Sequence, residues 1–172
     1  FKTEIHEGYG LSEAPVCIEN PYGKVTKPGS IGLPIPEFKA RIVDDYGDDV
    51  QQGEVGELLI KGPAVMKGYL NRPEETSTTI KEGWLYTGDM ARMDEDRYLY
   101  IVDRKKELVI RGGYNVYPRE IEEVLYQMPD ILEAAVFGIP HKDLGEEVAA
   151  VVFLKEGAQE DNDTIKNYVK ER

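Results

Sequence analysis

The chain has 172 residues, 41% of them hydrophobic and 31% charged, enough for one ordinary domain or two small ones and too apolar for a disordered segment. A net charge of −12 argues against a nucleic-acid binder, which needs a broad basic face, and leaves small anions possible because they answer to local groups. Cys17 is the one cysteine and His6 and His141 stand apart, so neither an internal disulfide nor a histidine–cysteine metal cluster is expected.

Phe1 to Glu13 is polar, with Gly8 and Gly10 flanking Tyr9, so that the backbone can bend and leave the ring accessible. Asn20 to Pro36 carries four prolines and three glycines and reads as loop with at most one short strand. Phe38 to Asp44 alternates as a half-buried strand, and Glu57 to Lys61 is its return. A short helix is predicted to start at Pro73, with Glu74 and Glu75 near the positive end of its dipole. Met90 to Met93 and Tyr98 to Asp103 form a hairpin across residues 94–97. Residues 30–102 therefore read as an all-β unit of short strands, sandwich or barrel.

The composition then changes. Asp103 to Arg119 holds five cations (Arg104, Lys105, Lys106, Arg111, Arg119) against two acids, a cationic island beside the turn Gly112-Gly113. Two readings stand side by side, a solvated basic turn and a site for an anionic small molecule. Pro118 to Met128 is an amphipathic helix with Ile121, Val124, Leu125 and Met128 on one face. Glu133 to Ile139 and Val148 to Leu154 are apolar strands, and Asp163 is read as the N-cap of a last helix with Ile165, Tyr168 and Val169 on one face. Val148 to Leu154 is also the longest apolar run, far short of the roughly 20 residues that cross a bilayer. No export signal is recognised, and both ends read as cut from a longer polypeptide.

Three constellations carry the chemistry: Gly8-Tyr9-Gly10-Leu11-Ser12-Glu13, Tyr86-Thr87-Gly88-Asp89, and Asp103-Arg104 with its basic continuation. Each alone is unspecific. In this order, with GELLIKGPAVMKGYLNRPEET, GWLYTGDMARMDEDRYLYIVDRKKELVIRGGYNVYPREIEEVL and AAVFGIPHKDLGEEVAAVV around them, the chain resembles the adenylate-forming (AMP-binding) superfamily. That superfamily holds acyl-CoA synthetases, firefly-type luciferases and peptide-synthetase adenylation domains, and the likeness is greatest to bacterial long-chain fatty-acid–CoA ligases.

The resemblance implies a mixed α/β fold: residues 1–103 as the β-barrel-like end of the large AMP-binding domain, and 104–172 as the start of a mobile, incomplete α+β C-terminal domain. It implies that Tyr9 packs on adenine, that Ser12 lies near the α-phosphate and that Glu13 helps hold Mg2+. Asp89 would accept the ribose hydroxyls, Arg104 would reach the same ribose, Lys106 would be the hinge, and Gly112 and Gly113 would line the CoA tunnel. A carboxylate suits each acceptor role, since it takes two O–H donors and offers a hard cation its oxygen.

The implied reaction activates a fatty acid with ATP to acyl-AMP and pyrophosphate, then passes the acyl group to CoA. The implied partners are these small molecules, with at most peripheral membrane contact, a cytoplasmic setting and possible oligomers, including one caused by truncation. The superfamily's Ser/Thr/Gly-rich phosphate loop and its C-terminal lysine do not occur in this sequence, so the chain alone is expected to be inactive. Two other readings are a synthetase for aryl, short-chain or dicarboxylic acids and a non-catalytic binding module. Cys17 is expected to be a small buried hydrophobe, Trp84 a packing residue and His141 a surface loop residue.

Overall fold

The computed structural model describes residues 5–23 and 25–172; Phe1 to Glu4 of the polar opening segment and Lys24 of the Pro/Gly-rich loop lie outside the described residues. The described residues form a mixed α/β structure with three helices and three antiparallel sheets, which divides into two units, one ending at Val102 and the other Asp103–Arg172.

In the first unit, β1 (Gly8–Leu11), β2 (Ala14–Glu19) and β3 (Leu33–Pro34) form one sheet in the order β1-β2-β3. A second sheet has the order β4-β5-β7-β6, from β4 (Lys39–Val43), β5 (Gly56–Lys61), β6 (Ile80–Lys81) and β7 (Trp84–Met93), with β8 (Leu99–Arg104) on β7. Neither sheet closes into a barrel. Register explains the core: Ala40 pairs with Ile60 and Ile42 with Leu58, so the apolar members of the alternating β4 meet those of β5 on one face. The central strand β5 is buried from Gly56 to Ile60. Leu58, Ile60, Leu85 and Leu99 pack with Ala14, Cys17 and Ile18 of β2, so the two sheets share one core.

The helix α1 (Pro73–Thr79) starts at its proline, where the missing N–H costs nothing, and buries no residue. Lys27 Nζ donates to Asp94 (2.5 Å) and Asp96 (2.7 Å) and sits over the Tyr98 ring, pinning the Pro/Gly-rich segment to the β7–β8 turn.

The second unit opens with a 3-10 turn, Lys105–Glu107, and its sheet runs β10-β9-β12-β11. Its strands are β9 (Val109–Arg111), β10 (Tyr114–Val116), β11 (Ile131–His141) and β12 (Gly145–Leu154). Helices α2 (Pro118–Leu125) and α3 (Asn162–Lys170) supply Ile121, Leu125, Ile165, Tyr168 and Val169 to a core with Ala134, Val136, Val148 and Val152. The other face of the β11–β12 hairpin, with Phe137, Ile139, Val151 and Phe153, is exposed.

Three local expectations change. Helix α2 stops at Leu125 instead of Met128: the Gln127 and Met128 N–H groups bond three residues back, to the Val124 and Leu125 carbonyls, and Pro129 disfavours helical backbone at Met128. The N-cap of α3 is Asp161, whose Oδ1 accepts the Thr164 N–H at 2.8 Å, and Asp163 lies inside the first turn. His141 ends β11, where its Nδ1 accepts the N–H groups of Asp143 and Leu144 at 3.3 Å each.

Candidate functional site

The residues Ser12 and Glu13 are the two-residue turn of the β1–β2 hairpin, between the paired Leu11 and Ala14. The hairpin is irregular: the register slips between Tyr9 and Leu11, and Val16 has a positive φ of 31°. Gly10 is required there, since a Cβ on it would lie 2.4 Å from the Val16 nitrogen. The slip leaves Tyr9 half-buried and Ser12 exposed at the tip.

Asp89 sits in a bulge. Strand β7 pairs Tyr86 with Leu59 and Met90 with Glu57, so more residues lie between the pairs on β7 than on β5. Bulges of this kind re-aim side chains beside functional sites. The excess is held in place: Thr87 Oγ1 donates to the Leu58 carbonyl (2.7 Å) and accepts the Asp89 N–H (3.1 Å), while the buried Glu57 carboxylate accepts the Gly88 N–H (3.1 Å). Gly88 takes a φ of +73°, which favours glycine.

Asp89, 4% exposed, thereby meets Tyr9: the Tyr9 hydroxyl donates to Asp89 Oδ2 at 2.5 Å across eighty residues of sequence. Burial, and then the Asp89 carboxylate, push the Tyr9 phenol well above its ordinary range, so it remains a donor. The structure thus brings together two of the sequence-predicted residues. A carboxylate already holding one hydroxyl keeps further lone pairs for other O–H donors.

Glu13 is half-buried, and its Oε1 accepts the Tyr69 hydroxyl at 2.7 Å. No bond to Oε2 is found among the described residues, so one oxygen is held and the other is open to a cation. No group of three or more His, Cys, Asp or Glu side chains that could hold a metal occurs among the described residues. A single carboxylate with one open oxygen could serve Mg2+, which takes one or two carboxylates and draws its remaining oxygens from phosphate and water.

Within the second unit, Arg104 ends β8 and is exposed, and Lys106 is exposed in the 3-10 turn. Asp103, 6% exposed, accepts the N–H of Arg104 (2.7 Å) and that of Arg119 (3.0 Å) near the start of α2. Gly112 and Gly113, with φ of 60° and 87°, turn β9 into β10. The cationic island is partly neutralised. Arg111 makes two bonds to Glu147 (2.6 and 3.1 Å), and Arg119 pairs with Glu123 (3.1 Å).

Sequence reading gave no supporting role to Tyr69, nor to Thr87 and Asp103 within the constellations it singled out, and it missed strands β1, β2, β6 and β10. A hydroxyl reaching a carboxylate through space leaves no periodic signal. The alternation in Ala14–Glu19 is interrupted by Pro15 and by the slip in register. Cys17 is fully buried, and burial pushes its thiol up to about 11. Trp84 carries Arg41 and Lys61 over its ring, 5.4 and 5.7 Å from the centroid.

The family model of the AMP-binding enzyme matches residues 1–70, and that of the AMP-binding enzyme C-terminal domain matches residues 120–172. A long-chain-fatty-acid–CoA ligase of Bacillus subtilis (strain 168) is 49% identical over 171 residues, 98% of this chain and 30% of that protein. One from Salmonella typhimurium is 49% identical over 160 residues, 92% of this chain and 28% of that protein. The chain thus spans less than a third of the length of these relatives. Among solved structures, ATP-bound MatB from Rhodopseudomonas palustris superposes with a TM-score of 0.92 at 39% identity, covering 98% of this chain and 34% of that one. O-succinylbenzoate coenzyme A synthetase (MenE) from Bacillus subtilis, in complex with AMP, gives 0.84 at 34% identity, covering 97% and 34%. No helix among the described residues is long and apolar enough to cross a membrane.

Proposed function

The chain belongs to the AMP-binding enzyme family, and on that premise we propose that it is part of a cytoplasmic, ATP-dependent long-chain fatty-acid–CoA ligase. The substrate class is supported by the names of the relatives, two of them 49% identical to this chain. The observation that carries the nucleotide reading is the Tyr9–Asp89 hydrogen bond, which joins an accessible aromatic ring and a buried carboxylate from two distant motifs.

The chemistry follows from a difficulty: a carboxylate is a poor electrophile and must first become an acyl-adenylate. Protein groups then mainly position reactants and balance charge. Tyr9 offers its ring to adenine while its hydroxyl holds Asp89, and Asp89 accepts the ribose hydroxyls. Ser12, exposed on the hairpin tip, donates to an α-phosphate oxygen. Glu13 would hold Mg2+ through Oε2, and the ion would supply charge neutralisation at the phosphates.

The residues 1–103 are read as the end of the AMP-binding domain and 104–172 as the start of the C-terminal domain. In the second half-reaction CoA displaces AMP. Lys106 serves as pivot for a domain rotation, Arg104 reaches the ribose, and the Cβ-free turn Gly112-Gly113 leaves room for the pantetheine thiol. The phosphate loop and terminal lysine of the family do not occur in this sequence, so nucleotide binding by this chain is expected without acyl-adenylate formation.

Calorimetric titration with AMP tests the reading. Weak saturable binding by the wild-type chain, abolished in Asp89→Ala, is the expected result. Equal heats for the two proteins would overturn it.

A further inference from the structure

We propose that Tyr69 is the positioning residue for the Glu13 carboxylate, holding Oε1 so that Oε2 is presented to a divalent cation. This rests on the reading of Glu13 as the metal-binding carboxylate and extends it to a motif that still lacks a role, Gly68-Tyr69-Leu70-Asn71-Arg72-Pro73-Glu74-Glu75-Thr76.

Two bonds tie that segment to Glu13. The Met66 N–H donates to the Glu13 carbonyl at 2.7 Å, and the Tyr69 hydroxyl donates to Oε1 at 2.7 Å. Main chain and side chain of Glu13 are thus gripped by one loop, 56 residues away at the hydroxyl bond.

The loop is in turn fixed from α1. Thr76 Oγ1 accepts the Tyr69 N–H (2.9 Å) and donates to the Arg72 carbonyl (2.8 Å). Gly68 makes room, because a Cβ there would lie 2.7 Å from Thr76 Cγ2. Tyr69 is half-buried, and its hydroxyl donates to the carboxylate from the loop that Thr76 fixes.

A carboxylate on a two-residue hairpin turn has free torsions along its own side chain. Fixing one oxygen removes that freedom before the cation arrives, and partners of ligating carboxylates are commonly worth 10- to 100-fold in metal affinity.

The test titrates Mn2+ into this chain with ATP and reads free Mn2+ by electron paramagnetic resonance. The metal-free AMP affinity and the thermal unfolding of each variant are measured alongside. Wild-type protein is expected to take up Mn2+ beyond what ATP alone binds. Glu13→Gln should remove that excess, and Tyr69→Phe should weaken it about 10-fold with AMP affinity unchanged. The double variant should be no weaker than Glu13→Gln, since Tyr69 acts through Glu13.

Wild-type Mn2+ affinity in Tyr69→Phe, with the excess lost in Glu13→Gln, would overturn the role of Tyr69 and leave the metal reading intact. No excess in the wild type, or full excess in Glu13→Gln, would overturn both. Parallel losses of metal binding, AMP binding and thermal stability in Tyr69→Phe would make Tyr69 a folding residue and overturn the positioning role.

Discussion

Tyr9 and Asp89 meet because each lies at an irregularity of its strand, the slipped β1–β2 hairpin and the β7 bulge. The Tyr9 hydroxyl donates to a carboxylate only 4% exposed, so Tyr9→Phe keeps the ring and removes one donor from that buried acid. The expected cost is about 1–3 kcal/mol of stability in denaturant unfolding, with weaker AMP binding. Cys17 offers a second check at this scale. Burial pushes its thiol up to about 11, so little thiolate forms near pH 8. Iodoacetamide should label it slowly in the native chain and rapidly in denaturant, and equal rates would mean the core around β2 is open. The candidate residues Tyr9, Ser12, Glu13 and Asp89 were singled out by motif identity. The hydrogen bonds that orient them left no such signal: Tyr69 is an ordinary residue in the sequence until folding sets it beside Glu13, and the motif that holds Thr87 does not tell that its hydroxyl accepts the Asp89 N–H.

Helix α2 has a proline at its first position and no side-chain cap from Tyr117. Asp103, fifteen residues upstream of Pro118, serves instead by accepting the Arg119 N–H while its other oxygen holds Arg104. The cap and the turn that carries Lys106 are thereby tied together. Asp103→Ala should cost about 1 kcal/mol or more, read by denaturant unfolding, and Asp103→Asn less, because an amide oxygen can still accept one N–H. For α3, the Thr164 N–H holds the Asp161 carboxyl below its ordinary value. A carboxyl depressed on folding stabilises the native state above its unfolded value of ~3.9, and that contribution is lost as pH falls through the lower folded value. Circular dichroism should therefore show acid loss of α3 that is smaller in Asp161→Asn. Most elements were legible because alternation and proline mark them, as in β4, α1 and α2. The exceptions have physical causes. Strand β10 is three exposed or half-buried residues with no apolar pattern, and Asp161 outcompetes Asp163 because only its spacing puts Thr164 at the position a cap reaches.

At the scale of the molecule, two cores of different kinds lie on one chain, one shared by two open sheets and the other formed by a sheet and two helices. The change of composition after Arg104 is the sequence signal that lies nearest that division. The openness of the sheets was not legible, since closure depends on pairing between strands and not on their count. Net charge does not decide this point, because small anions answer to local groups: at −12 the expected nucleotide contacts would rest on a few residues of β1, its turn and the β7 bulge. The central claim is that those residues form a nucleotide half-site. Titrating the isotope-labelled chain with AMP and following backbone amide resonances tests it most directly. Saturable shifts at Gly8 to Glu13 and Thr87 to Asp89, with Ile131 to Leu154 unmoved, are the predicted result. Shifts confined to other residues, or none at saturating AMP, would contradict it.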